Sequence, residues 1–131
     1  MFAINASDSA PIWKQIEEGV RRLIALGALQ PGASVPSVRD LARDLRVNPN
    51  TVARAYQRLT DNGVLAVRRG EGTYVADTPS QPRKSERNDM LREAAGRYAG
   101  TAITAGASVE AAVSELESSY QRLVREHRRK S

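Results

Sequence analysis

VPSVRDLARDLRVNPNTVARAYQRLTDNGVLAVRRGEGTYV, residues 35–75, holds two short helical patterns, each opened by a polar cap, and then a basic hairpin punctuated by glycine. The first pattern opens at Pro36-Ser37. Ser37 and Asp40 stand three apart as a capping pair, with Asp a weaker partner than the usual Glu or Gln. Leu41 and Leu45 face a core together with Val38, and Arg39, Arg43 and Arg46 take the remaining surface. That apolar face is about two turns long, too short to be stable without neighbours. In the second pattern Asn48 is a good N-cap, and Pro49 fits the first helical position, where its missing N–H costs nothing. Val52, Ala55, Tyr56 and Leu59 make the buried stripe, and Gly63 sits where a left-handed helix end belongs. At about 100° per residue, Asn50, Arg54, Gln57 and Arg58 project away from that stripe.

Two short helices joined around Arg46-Val47 make a helix-turn-helix, with the second as its reading helix. Leu65–Arg68 and Thr73–Val75 then read as strands, and Arg69-Gly70-Glu71-Gly72 supplies the turn between them. A hairpin directly after a helix-turn-helix is a wing. Glycines at its tip allow close approach to a groove wall or phosphate, and Arg68 and Arg69 supply charge. As an isolated motif, Gly-Glu-Gly is hairpin punctuation; its place after the reading helix gives it a functional sense.

Working outward, Pro11 opens an earlier helix in which Ile12, Ile16, Val20 and Leu23 recur at helical spacing, stopped by Gly27 and a Pro31-Gly32 turn. Trp13, the sole tryptophan, borders that stripe and is expected to pack on the next element. Downstream, DTPSQPRKSER (residues 77–87) has the composition of a linker. Leu91, Ala94, Tyr98 and Ala102 then trace one helical face, Gly106 ends that helix, and Ser108 caps the next. Val109, Val113, Leu116, Tyr120 and Leu123 follow at spacings of 4, 3, 4 and 3, a coiled-coil-like seam. Two such helices cannot bury their apolar face alone. They either fold back on the first domain or pair with another subunit, and the length of the seam favours dimerisation through Leu91, Tyr98, Val109, Val113, Leu116, Tyr120 and Leu123. The terminal Arg128-Arg129-Lys130 reads as a solvated tail and helix-end charge.

The expected fold is mainly α with a small β-hairpin, arranged as a DNA-binding winged helix-turn-helix over residues 9–77, a linker over 78–86, and a helical dimerisation hairpin over 87–130. Composition agrees: 131 residues, 40% hydrophobic, suit one small domain plus an appendage, and a net charge of +5 favours an anionic partner. The absence of cysteine excludes disulfides, thiolate metal sites and thiol nucleophiles. Neither a signal peptide nor a membrane span is apparent, so a cytoplasmic location is expected. Nothing resembles a Ser/His/Asp set, a metal-spaced cluster or a P-loop, and the one histidine, His127, reads as a surface side chain. Neither an enzyme, a cofactor nor a metal is expected. A pure protein-interaction module would explain the seam but not residues 37–58 or the wing.

Residues 1–75 resemble the winged helix-turn-helix of GntR-type bacterial transcription regulators. The resemblance is carried by the blocks PIWKQI (11–16), GALQPG (27–32), VPSVRDLA (35–42), VNPNTV (47–52) and GEGTYV (70–75). The short helical tail is similar to the YtrA-like branch, whose tail is a dimerisation unit, and is too short for the ligand-binding or aminotransferase-like domains of larger relatives. What the resemblance implies is a DNA-contacting arginine at Arg39, contacts from the start of the reading helix at Asn48, Asn50 and Thr51, and wing-tip contacts at Gly70, Gly72 and Thr73. Many relatives have arginine where Pro49 and Ala53 stand here; Arg54 lies one position later and is turned outward. The expected partners are double-stranded operator DNA and a second copy of the chain. Two reading helices would enter successive major grooves of an inverted repeat, about 34–36 Å apart. Arg54 and Asn50, with Arg39, are the expected base readers, Arg43, Arg58 and backbone N–H groups near Asn48 are the expected backbone contacts, and the wing tip with Arg69 is expected to approach the minor groove. The resemblance also implies repression of an operon holding the chain's own gene, commonly one for a transporter. No effector pocket is legible.

Overall fold

The computed structural model describes residues 2–129, with side chains described as far as residue 126. The side chains of His127, Arg128, Arg129 and Lys130, read above as surface groups, lie outside what is described. The element order is α1 (Ile12–Ala25), α2 (Val38–Leu45), α3 (Pro49–Asp61), β1 (Leu65–Arg68), β2 (Gly72–Val75), α4 (Lys84–Thr104) and α5 (Val109–Arg129). The chain divides into two units, residues 1–80 and 81–131.

In the first unit one apolar core takes side chains from every element. Ile16 and Val20 come from α1, Leu41 and Ala42 from α2, and Val52, Ala55, Tyr56 and Leu59 from α3; Val64, Leu65 and Val75 close it at the root of the hairpin. Val38 and Leu45, expected to face the core, are only half-buried and pack against its margin. The segment before α1 belongs to this unit as well. Phe2 and Ile4 pack on the core, and the Gln15 amide bridges to the Asn5 N–H and carbonyl, each at 2.9 Å. A Cβ at Gly19 would lie 2.8 Å from the Phe2 ring, so only glycine admits that close approach.

Helices α1 to α4 end in the same turn, in which the N–H of the residue after the left-handed one reaches back to the carbonyl five residues earlier. The bonds are Ala28 to Leu23 and Val64 to Leu59 (2.9 Å each), Val47 to Ala42 (3.0 Å) and Ala107 to Ala102 (2.9 Å). Gly27, Gly63 and Gly106 hold the left-handed position in three of the four, with φ of 78°, 77° and 77°. At the end of α2 that position is held by Arg46, at φ 58°. For a residue with a Cβ this conformation costs about 1–2 kcal/mol.

β1 and β2 pair antiparallel with Leu65 opposite Val75 and Arg68 opposite Gly72. β2 is also bonded along its other edge: Val35 N–H donates to the Thr73 carbonyl (3.0 Å), Val75 N–H to Ala33 (2.8 Å) and Gly32 N–H to Val75 (2.9 Å).

In the second unit α4 begins at Lys84, inside the stretch expected to be linker. Pro82 is the last residue there that cannot be helical, and the Glu86 carboxylate accepts the Arg83 N–H at 3.4 Å, which lets the helix start at once. Gly106 turns the chain, and the Ser108 hydroxyl caps α5 by accepting the Ala111 N–H at 3.1 Å. The Tyr98 hydroxyl, counted from sequence among the dimerisation groups, donates to the Ala112 carbonyl at 2.7 Å and so ties the hairpin together. None of the described residues of α4 or α5 is fully buried. The apolar residues of α4 are not confined to the expected face, since Met90 and Ile103 are exposed to either side of it. Among the described residues no helix is long and apolar enough to cross a membrane.

Candidate DNA interface

α2 and α3 place their polar residues as their caps dictate. The Ser37 hydroxyl accepts the Asp40 N–H at 3.1 Å. The reciprocal half of the capping pair does not form, because the Asp40 carboxylate pairs with Arg43 instead. Both groups are exposed, and an exposed pair of this kind contributes about 0–1 kcal/mol, so Arg43 can exchange Asp40 for a phosphate at little loss. Arg39 is exposed one turn earlier.

At the start of α3 the Asn48 side chain accepts the Asn50 N–H (2.8 Å), and its carbonyl accepts the Thr51 N–H (3.0 Å). Pro49 has no N–H. The N–H groups of Asn50 and Thr51, which follow the cap, therefore already have acceptors within the chain. Asn50, Arg54 and Gln57 are exposed on the outer face, Thr51 is half-buried, and Gln57 donates to Asp61 at 2.8 Å. Tyr56 points inward and donates its hydroxyl to the Pro36 carbonyl at 2.8 Å, fastening α3 to the start of α2.

Two arginines of α3 meet α1. Arg58 Nε lies 2.6 Å from Glu17 Oε1, and the Glu17 side chain is only 12% exposed. The Arg58 guanidinium also stands over the Trp13 ring, 4.6 Å from its centroid. Arg58, expected at the DNA backbone, thus also ties α3 to α1. The helical geometry that turned it outward also carried it to a buried carboxylate 41 residues away in sequence, a partner no local pattern reveals. Arg54 lies over the same ring at 4.5 Å. This contact is worth about 0.5–1 kcal/mol at an exposed site and, unlike an ion pair, leaves the charge uncompensated.

On the wing, Gly70 (φ 77°) and Gly72 (φ 120°) require glycine for their backbone conformation rather than for space, since a Cβ at either would meet nothing within 4 Å. The tip is thus open to approach from outside. Arg69 is exposed and Thr73 half-buried. Arg68 lies over the Tyr74 ring at 4.2 Å and 4.0 Å from Asp77. Trp13 and Glu17 were not anticipated at this surface. Arg46 had one available signal, an arginine standing where the helix-end turn favours glycine.

These features define a winged helix-turn-helix DNA-binding protein. Comparison with known proteins gives its place: the chain belongs to the gntR family of bacterial regulatory proteins, whose model matches residues 13–75. It is 34% identical over 110 residues to the HTH-type transcriptional repressor YtrA of Bacillus subtilis (strain 168), covering 84% of this chain and 85% of that protein. Among solved structures it is similar to a transcriptional antiterminator from Listeria monocytogenes EGD-e, with a TM-score of 0.69 and 28% identity over 95% of this chain and 92% of that one. It is similar also to YtrA from Sulfolobus acidocaldarius, a GntR-family transcription factor, with a TM-score of 0.54 and 34% identity over 92% and 97% of the two chains. The chain is a DNA-binding transcription regulator, and its relatives and fold are those of regulators rather than enzymes.

Proposed function

We propose that the chain acts as a homodimeric repressor of the operon carrying its own gene, an operon of the transporter type, and that it binds an inverted-repeat operator. The observation that carries the reading is the outer face of α3, where Asn50, Arg54 and Gln57 are exposed, together with the exposed Arg39 and Arg43 of α2 and an open wing tip. α3 enters the major groove, with Arg54, Asn50 and Arg39 reading base edges. Asn48 and Thr51 approach the backbone at the helix start, and Arg43 holds phosphate. Arg69, Gly70, Gly72 and Thr73 approach the minor groove. Arg58 enters as the brace that fixes the angle of α3. The exposed α5 seam of Val109, Val113, Leu116, Tyr120 and Leu123, with Leu91 of α4, supplies the subunit interface. Tyr98 joins it through its ring, its hydroxyl being held inside the hairpin. The action takes place in the cytoplasm, on the nucleoid.

The test is fluorescence anisotropy of the full chain on duplexes from upstream of its own gene, against a scrambled duplex of equal length. Arg54→Ala is expected to weaken the preferred duplex by about 1–3 kcal/mol, roughly 5- to 150-fold, and to spare the scrambled one. Equal losses on both would make Arg54 a phosphate contact. Arg58→Ala is expected to leave the salt dependence unchanged; a slope reduced by about one would return Arg58 to the phosphate-binding set.

A further inference from the structure

We propose that Arg46 is a phosphate-binding residue of the DNA interface, and that its charge is the reason an arginine occupies a backbone position suited to glycine. Of the four helix ends that share one turn geometry, three use glycine at the left-handed position and α2 uses Arg46. Arg46 is the one non-glycine residue with positive φ among the described residues. Its side chain is exposed and takes part in no ion pair among the described residues. The folded chain therefore carries the strain with no ion pair or side-chain hydrogen bond of Arg46 among the described residues to offset it.

The location supplies the role. Arg46 stands two residues before Asn48, in the turn that leads into the reading helix. The first N–H groups of α3 are occupied by Asn48, or absent at Pro49, so the backbone there offers a phosphate little beyond the helix dipole. Arg58 is paired with the nearly buried Glu17 carboxylate, and Arg43, one turn back in α2, reaches a phosphate by giving up Asp40. Among the described residues Arg46 is the cation without an ion-pair partner nearest in sequence to the start of α3. A guanidinium there binds phosphate in bidentate fashion, as five fixed N–H donors allow. A bland alternative exists, in which Arg46 only complements the C-terminal end of the α2 dipole.

The inference rests on the reading in which α3 enters the groove, and its test separates the two. Full-length wild type, Arg46→Gly and Arg46→Lys are titrated across a range of NaCl concentrations. The probes are the tightest-binding duplex selected from a random-sequence pool and a scrambled duplex of equal length. Arg46→Gly is expected to raise the Tm by about 4 °C. The same variant loses affinity about 3- to 10-fold on both duplexes, and its plot of log K against log salt flattens by about one for each bound copy of the chain. Arg46→Lys is expected to keep the wild-type slope. Unchanged affinity and slope in Arg46→Gly would leave only the helix-end role and overturn the proposal. So would a loss confined to the selected duplex, which marks a base reader, or a fall in Tm, which shows the side chain stabilising the fold. Failure of the wild type to prefer the selected duplex would instead count against the groove-reading model.

Discussion

The two units of this chain begin from the same kind of sequence and end in different states. Residues 1–80 and 81–131 both contain helices with apolar residues at helical spacing. In the first unit those residues close on one another until Ile16, Val20, Val52, Ala55 and Leu59 are wholly buried. In the second, Val109 is 71% exposed and Tyr120 66%, and no described residue is fully covered. An amphipathic stripe states that a face needs covering; it does not state by what. Three helices packed around a hairpin root can enclose a core, whereas two helices in a hairpin always leave one side open. The first unit has the parts of a self-sufficient fold, and the second leaves an apolar face uncovered in the single chain.

The sharpest way to break this contrast is to make similar cuts in each half. Leu59→Ala is expected to destabilise the first unit by about 2–5 kcal/mol, since a fully buried leucine leaves a cavity as well as losing transfer energy. Urea unfolding followed by Trp13 fluorescence reads this, and a loss under about 1 kcal/mol would mean the core is loosely packed. Leu116→Ala, at a residue 54% exposed in the single chain, should leave that unfolding curve alone and weaken self-association by about 2 kcal/mol, roughly 30-fold in dimer dissociation. Sedimentation equilibrium decides; an unchanged dissociation constant would place the subunit contact elsewhere. The smallest effect belongs to Tyr56→Phe, about 1 kcal/mol for the lost bond to Pro36. It carries a pH signature. Burial pushes the Tyr56 hydroxyl above the ordinary tyrosine range, so the unfolded chain ionises while the folded one stays neutral. Stability from this group is complete below about pH 10 and declines as pH rises beyond it. Replacing Tyr56 with Phe should flatten that alkaline decline, and a decline of equal steepness in the variant would assign it to other groups.

What was legible in the sequence was what is local. Asn48, Pro49 and Gly63 announce α3 because caps and helix ends act within a few residues, and all three do as their types require. The start of α4 was misjudged for a related reason: linker composition around Pro79 and Pro82 masks a helix that needs only the residues after the last proline. The site was legible as a face and illegible as a network. Helical geometry turned Arg54 and Arg58 outward correctly, yet it contains no term for Glu17 and Trp13 arriving from another helix. Arg58, a candidate ligand of DNA by its position, thereby gains a structural role as a tie between α1 and α3. The packing of the N-terminal segment is not legible in the pattern, because Phe2 has no periodic neighbours and its place against Gly19 exists only in three dimensions.

β2 is bonded on both edges, to β1 on one side and to residues 32–35 on the other, with Val75 and Leu65 sealed in the core at its root. A one-residue slip would turn Val75 out to solvent, so the register is locked from both sides. The wing is therefore a cantilever with a clamped base. Its tip at Arg69–Gly72 can be lengthened, shortened or recharged while the clamp and the core stay as they are. Reach toward a groove becomes a property that four surface residues set alone, and one that can diverge between relatives faster than the fold that carries it.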